Sequence, residues 1–184
     1  YIIEGQSGIG KKTFAFFAAK TILCKDKNNR PCGKCSSCQK VDQLSHPDLQ
    51  YLSASESGSF KVESVRELIK TVYYLPNESD KKVYIFDMAQ KMTLSAQNAM
   101  LKIFEEPPSS AVFFILTEKR DALLTTVLSR GQMIALQPID EKDILSFLSE
   151  KYPKKSIEEL KTSAEIAGYI PGAAVACMDK TSLS

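Results

Sequence analysis

The chain has 184 residues, of which 43% are hydrophobic and 25% charged, with only 8 glycines and 8 prolines. This composition excludes a disordered tail, a collagen-like fibre and a low-complexity linker, and it predicts one folded domain with a small appendage. The net charge of +2 predicts no general attraction to nucleic acid or membrane. Apolar stretches are too short to span a membrane and no leader peptide is recognisable, so we expect a cytoplasmic protein without a membrane partner. Because the chain begins without Met, we expect a fragment of a longer protein.

A glycine-rich loop separates the first predicted strand, residues 1–4, from a helix predicted at 14–23. Three glycines lie in this loop: Gly5, Gly8 and Gly10. Gly5, Gly10 and Lys11 complete the phosphate-loop pattern G-x4-G-K. Such glycines turn backbone N–H groups toward an anion, and the lysine reaches the β- and γ-phosphates. The loop therefore predicts a phosphate site.

The residue after the phosphate-loop lysine departs from this pattern. A Ser or Thr hydroxyl normally holds Mg²⁺ there, but this chain has Lys12. Thr13 follows one position later, where a helical side chain points about 100° away, so it does not simply replace the missing hydroxyl. The loop is therefore a poor candidate for hydrolysis, although phosphate binding stays open.

Four of the five cysteines lie close together with the spacing C-x7-C-x2-C-x2-C: Cys24, Cys32, Cys35 and Cys38. Four thiolates complete the tetrahedral shell that Zn²⁺ prefers, which predicts a structural zinc module with no open position for catalysis. Disulfides, a redox pair and an iron–sulfur cluster are the alternatives. His46, the only histidine, precedes Pro47 and is predicted as a turn residue rather than a ligand.

A second nucleotide-binding motif is predicted at the end of a buried strand, residues 83–87. Asp87 ends this strand, where a carboxylate typically holds Mg²⁺ through water, but Met88 follows where an ATPase needs a glutamate. The candidate nucleotide site also includes Thr117, at the end of a strand predicted at 111–117. Since the metal hydroxyl and the catalytic base are missing at independent places, we expect no ATP turnover at this site.

The remaining elements alternate between strands and helices up to Pro138. The other predicted strands are 49–53 and 133–136, and the other helices are 62–74 and 94–105. Near-continuous apolar strands separated by helices indicate a parallel sheet covered on both faces, hence an α/β fold. Only helices follow, at 141–151, 157–167 and 172–178, so we predict domains at 1–138 and 139–184.

The segment Ala96–Pro108 resembles the signature of bacterial clamp-loader AAA+ subunits, which also follows the second nucleotide motif in that family. Leu128-Ser129-Arg130 resembles the family's Ser-Arg-Cys motif, with Gly131 in place of Cys. A four-cysteine insert after the phosphate-loop helix is a further similarity. The resemblance covers essentially the whole chain and implies an AAA+ phosphate-loop domain with a zinc insertion, a helical lid domain at 139–184, and a collar domain absent from this fragment.

Departures from the pattern distinguish two branches of this family. The ATP-hydrolysing tau/gamma branch would have Thr at position 12, Glu at 88 and a lid arginine where this chain has Ala173. The segment 87–92 instead resembles the delta prime branch, so we expect a non-catalytic, stator-like subunit, with the tau/gamma type as the alternative.

Function follows from this resemblance by implication. A clamp loader is a hetero-pentamer that uses ATP to place a sliding clamp on primed DNA, so tau/gamma and delta subunits are the implied partners. Arg130 would supply an arginine finger to a neighbouring subunit's ATP site. Two other hypotheses stay open: an active ATPase rescued by Thr13 or water, and a zinc module whose basic residues between Lys20 and Asp42 contact DNA directly.

Overall fold

A computed structural model describes residues 1–54, 58, 60 and 62–181 of the chain. Within these residues the elements alternate between strand and helix as far as residue 135 and are helical thereafter. In chain order they are β1 Ile2–Glu4, α1 Lys11–Leu23, α2 Ser36–Asp42, β2 Leu49–Ser53, α3 Val62–Val72, β3 Lys82–Asp87, α4 Leu94–Glu105, β4 Ala111–Thr117, α5 Thr125–Leu128, β5 Met133–Ala135, α6 Glu141–Lys151, α7 Ile157–Ile166 and α8 Pro171–Thr181. Short 3-10 turns lie at Ala89–Lys91 and Arg120–Ala122.

The five strands form one sheet in the order β2-β3-β4-β1-β5. The β2–β3, β3–β4 and β1–β4 pairs are all parallel. Ser53 lies opposite Asp87 and Glu4 lies opposite Thr117, so the carboxyl ends of β1–β4 share one edge. The predicted α/β fold with a parallel sheet is confirmed, and strand β3, between β2 and β4, is buried throughout Lys82–Phe86 because helices cover it.

Most predicted elements lie within one residue of the bounds that hydrophobic periodicity gave, but α8 ends at Thr181, three residues after its predicted end. The main omission is α2, whose seven residues lack an apolar repeat long enough to predict a helix. Its start is fixed by a local contact instead: the side chain of Cys35 accepts a hydrogen bond from the Cys38 N–H and caps the helix. Helix α1 begins at Lys11, three residues before the predicted start, and α3 ends at Val72, two residues before its predicted end.

The chain divides into two compact units, described separately. The first combines Tyr1–Glu4 with Lys12–Ile134, and its core is built on the sheet and on α3 and α4. The second combines Gly5–Lys11 with the chain from Ala135 onward; Ile144, Leu148 and Leu160 form the centre of its helical core. The domain boundary at residue 138 stays a prediction. Among the described residues, no helix combines the length and apolar character that a membrane crossing requires.

Candidate functional site

The phosphate-loop lysine is directed at its own loop. Lys11 Nζ donates hydrogen bonds to the carbonyl oxygens of Gly5 at 2.7 Å and Gln6 at 2.9 Å. The loop also turns on itself through a bond from Ile9 N to Gln6 O at 3.3 Å. An ammonium group has three N–H donors. Two donors of Lys11, which in a phosphate loop would bind the nucleotide phosphates, are used here by the loop carbonyls.

The same loop is in backbone contact with the start of α8. Gly172 N donates to Gly8 O at 2.9 Å, and Gly8 has a φ of +79°. A Cβ atom added to Gly172 would lie 2.7 Å from Gly8 Cα, a distance that real side chains essentially never show. Glycine is therefore required at 172 for this approach. No sequence motif predicts this contact, although Pro171-Gly172 at a helix start is a signal for it.

Lys12, at the position expected for a metal-binding hydroxyl, lies against two aromatic rings. Its Nζ is 4.6 Å from the ring centroid of Tyr51 and 5.9 Å from that of Phe16. The two rings are themselves 5.4 Å apart between centroids. Phe16 follows Lys12 by four residues and therefore shares its helix face. Such cation–π contacts contribute about 0.5–1 kcal/mol at exposed sites and hold the lysine in a fixed direction.

Both carboxylate oxygens of Asp87 accept hydrogen bonds. Tyr51 Oη donates to Oδ2 at 2.7 Å, and Met88 N donates to Oδ1 at 2.9 Å. Met88 has a φ of +58°, a left-handed conformation that is uncommon for a residue with a side chain. Asp87 and Lys12 lie in sequence motifs, but Tyr51, which contacts both, has no motif of its own and was not predicted.

The two threonines of the predicted nucleotide site have different environments. Thr117 is fully buried at the end of β4, where its Oγ1 donates to Lys119 O at 3.0 Å and accepts from Lys119 N at 3.2 Å. Its hydroxyl is therefore committed to the turn that follows the strand. Thr13 is exposed on α1. Neither threonine therefore supplies the hydroxyl that position 12 lacks.

Arg130, the predicted arginine finger, is held at both ends of its guanidinium. One nitrogen donates to Thr126 O at 2.8 Å, and the other donates to Glu105 Oε1 at 2.7 Å. Glu105 belongs to the signature segment that first indicated the family. The neighbouring Gly131 is explained by packing, because a Cβ there would lie 2.5 Å from Cδ1 of the fully buried Ile2. The cysteine of the family's Ser-Arg-Cys motif would require the Ile2 side chain to shift.

The four predicted metal ligands converge. The sulfur atoms of Cys24, Cys32, Cys35 and Cys38 all lie within 4.8 Å of one another, and the pairs 24–35 and 32–38 are 4.0 Å apart. A tetrahedral zinc site with Zn–S bonds of about 2.3 Å has sulfur atoms about 3.8 Å apart, so this set fits zinc. His46 is not part of the cluster.

Backbone amides support the cluster by donating to its sulfur atoms. Cys32 N donates to Cys24 Sγ at 3.5 Å, Cys35 N to Cys32 Sγ at 3.3 Å, and Cys38 N to Cys35 Sγ at 3.5 Å. Burial opposes ionisation of Cys35, but hydrogen bonds from the backbone N–H groups of Cys38 and Lys25 and from neighbouring thiols outweigh it and lower its pKa to about 6. Burial, followed by hydrogen bonding to Cys35, raises the pKa of Cys38 to about 12. The amides thus stabilise a thiolate at Cys35, and a bound cation would do so for all four sulfur atoms.

The cysteine module is tied to the loop between α3 and β3 through one carboxylate. Glu78 pairs with Lys40, and with Lys25 at 3.9 Å. Glu78 N in turn donates to Oδ2 of the fully buried Asp48 at 2.8 Å. His46 was predicted in a turn; it is 2% exposed, and its Nδ1 accepts a hydrogen bond from Asp48 N at 3.1 Å. Its role is therefore structural.

The sequence of the chain matches a known family and several known proteins. The family described as "DNA polymerase III, delta subunit" matches residues 1–140. DNA polymerase III subunit delta' of Bacillus subtilis is 34% identical over 151 residues, covering 82% of this chain and 46% of the relative. Subunit gamma/tau of Mycoplasma pneumoniae is also 34% identical, over 158 residues that cover 86% of this chain and 23% of the relative. The chain thus spans less than half the length of these relatives.

Solved structures show the same fold at low sequence identity. A DNA polymerase III gamma subunit-related protein from Thermotoga maritima superposes with a TM-score of 0.58 at 18% identity, covering 94% of this chain and 64% of that one. A RuvB variant from the same organism gives a TM-score of 0.63 at 11% identity, covering 95% and 51%. The AAA+ fold is therefore shared. Together with the family match, this shows that the chain belongs to the DNA polymerase III clamp-loader family of AAA+ subunits.

Proposed function

We propose that this chain is the AAA+ portion of a non-catalytic, delta prime-type clamp-loader subunit that works in the bacterial cytoplasm. The observation that carries the proposal is the chemistry at positions 12 and 88, where a lysine and a methionine replace the metal-binding hydroxyl and the catalytic base. The degenerate nucleotide site comprises Gly5, Gly8, Gly10, Lys11, Lys12, Thr13, Asp87 and Thr117. Within this site, Lys11 donates to loop carbonyls, Lys12 lies against two aromatic rings, and Thr117 contacts the turn that follows β4.

Arg130 then acts on a neighbouring subunit rather than on this one. A guanidinium supplied from outside an ATP site neutralises charge on the transferring phosphoryl group. The contacts with Glu105 and Thr126 orient Arg130 within its own subunit, and both are partly exposed, so exchanging them for a phosphate costs little. Tau/gamma and delta subunits are the proposed partners, and clamp and primed DNA are engaged through the complex.

The test is DNA- and clamp-stimulated ATP hydrolysis by a reconstituted loader containing the full subunit as wild type or Arg130→Ala. An arginine finger contributes about 10³-fold or more to the kcat of the site it serves, so turnover at that site should be lost while assembly is unchanged. Arg130→Lys should rescue little, because an ammonium lacks the planar fork of donors.

Glu105→Gln is the matched control, since it removes the internal ion pair and keeps the arginine. Its turnover should stay close to wild type, because the amide oxygen of Gln can still accept the hydrogen bond that orients Arg130. Unchanged turnover in an intact Arg130→Ala loader would contradict the finger assignment and leave a scaffold role. The tau/gamma alternative predicts instead that Lys11→Ala in this subunit lowers turnover, because its own loop would then bind the hydrolysed nucleotide.

A further inference from the structure

The contacts of Lys12, Tyr51 and Asp87 form a continuous chain at the place where AAA+ ATPases hold Mg²⁺. We propose that Tyr51, supported by Lys12, closes the cation position at Asp87, so that this chain excludes divalent metal there. The inference deepens the proposed function, on which it rests, by naming the residue that converts a metal-binding carboxylate into a structural one. The residues present do not fit Mg²⁺.

The first step concerns the carboxylate oxygens. Mg²⁺ needs near-octahedral oxygen ligands at about 2.0–2.1 Å and gives up its water reluctantly. The hydroxyl of Tyr51 lies 2.7 Å from Oδ2 of Asp87, and the Met88 amide occupies Oδ1 at 2.9 Å. A cation approaching Oδ2 from that side, directly or through its water shell, would have to displace the phenol. Each oxygen of Asp87 therefore already accepts a hydrogen bond from a protein donor.

The second step concerns why Tyr51 is held in place. It lies on β2, whose register pairs Tyr51 with Ile85 and Ser53 with Asp87. Alternate residues of a strand share one face, so Tyr51 and Asp87 belong to the same face of two adjacent strands. The sheet itself sets their approach, and no loop movement is needed to make the contact.

The third step concerns charge. The ammonium of Lys12 lies 4.6 Å from the Tyr51 ring centroid, so a positive charge already faces the ring whose hydroxyl binds Asp87. A cation over an aromatic face draws electron density from the ring and strengthens the phenol as a donor. It also repels a second cation near the carboxylate. The substitution of a hydroxyl residue by Lys12 therefore has two effects. It removes a ligand for the metal, and it favours the hydrogen bond between Tyr51 and Asp87 over metal binding.

Mn²⁺ titration of the zinc-loaded full chain, with the free ion measured by electron paramagnetic resonance, tests the proposal. Wild type should show no binding that depends on Asp87. The double variant Lys12→Thr/Tyr51→Phe restores the hydroxyl and frees the carboxylate, so it should bind Mn²⁺ at least about tenfold more tightly. Adding Asp87→Asn to that variant should abolish the gain.

Tyr152→Phe is the matched control, because it removes another tyrosine–aspartate contact, that of Tyr152 with Asp179 at 2.6 Å. It should leave Mn²⁺ binding unchanged. If the double variant does not fold by circular dichroism, the near-isosteric Tyr51→Phe alone should still gain about threefold. A folded variant with wild-type affinity, or wild-type binding that depends on Asp87, would overturn the proposal. Because the titration involves neither Arg130 nor the loader, its failure is distinguishable from failure of the proposed function.

Discussion

At the scale of single residues, Asp48 accepts more hydrogen bonds than any other carboxylate in the described part of the chain. It is fully buried, and its two oxygens accept from the backbone amides of Asn77, Glu78 and Ser79 and from the Asn77 side chain, at 2.6–3.2 Å. Burial opposes ionisation, but these donors outweigh it and hold the pKa of Asp48 below its ordinary value of 3.8. The folded state therefore favours the carboxylate form.

Replacing Asp48 with Asn should lower the free energy of unfolding at pH 7 by about 2–3 kcal/mol, because an amide NH₂ would face N–H donors that lose a charged acceptor. Since the folded pKa is depressed, this contribution is present above pH 3.8 and is lost as pH falls through the folded pKa. Urea unfolding across pH measures it. Asp121→Asn, whose side chain is 96% exposed, is the control and should change stability by less than about 0.5 kcal/mol. A pH-independent difference between wild type and Asp48→Asn would contradict the assignment.

At the scale of elements, the cysteine module combines one short helix with four converging sulfur atoms. The segment between α1 and β2 is mostly polar, and its one helix, α2, has seven residues. An isolated helix of that length is not stable in water. Its start instead depends on Cys35, which both caps α2 and belongs to the cluster of sulfur atoms. Zinc binding and formation of this helix should therefore be coupled.

Cys35→Ser keeps an oxygen that can cap α2 but removes a zinc ligand. We expect the bound metal, one zinc per chain by elemental analysis, to be lost, and the free energy of unfolding to fall by at least about 3 kcal/mol. Hydrogen exchange should increase across residues 24–42 and not in the sheet. Cys177→Ser, in α8 and outside the cluster, should retain zinc. Iron in place of zinc, or a well-folded wild-type chain without metal, would refute the prediction.

At the scale of the whole molecule, charge is distributed so that the basic residues near the cysteines are partly neutralised. Lys20 donates to Asp42 at 2.7 Å, and both Lys25 and Lys40 pair with Glu78. Three of the six basic residues between 20 and 42 thus contact a carboxylate. The hypothesis of a DNA-binding zinc module loses much of its electrostatic basis.

The double variant Lys27→Glu/Lys34→Glu should therefore change the affinity of the chain for primed DNA by less than about threefold at 0.15 M salt. Fluorescence anisotropy with labelled DNA would measure it, with Lys142→Glu/Lys154→Glu in the helical unit as a control that changes the net charge equally. A large loss confined to the double variant, with a shallower salt dependence than wild type, would show that the module contacts DNA directly.

The sequence alone predicts most strands and helices along the chain, apart from the short helices α2 and α5, because buried strands and amphipathic helices differ in period. Strands Leu49–Ser53 and Ala111–Thr117 and helix Leu94–Glu105 have the predicted bounds. It also determined the cysteine cluster, since ligands two residues apart converge through local turns. The phosphate loop and the substitutions at positions 12 and 88 can be recognised in the sequence because each motif lies within a few residues.

The distant residues that complete these motifs follow from the packing of the chain and not from any local pattern. Tyr51 contacts Asp87 because strand register places them on one face, and Gly172 contacts Gly8 because α8 begins against the loop. Asp48 reaches residues 77–79 across about thirty positions of the chain. Such pairs produce no periodic pattern in the sequence, since a single tyrosine, glycine or aspartate has many possible partners. Packing of the chain selects one.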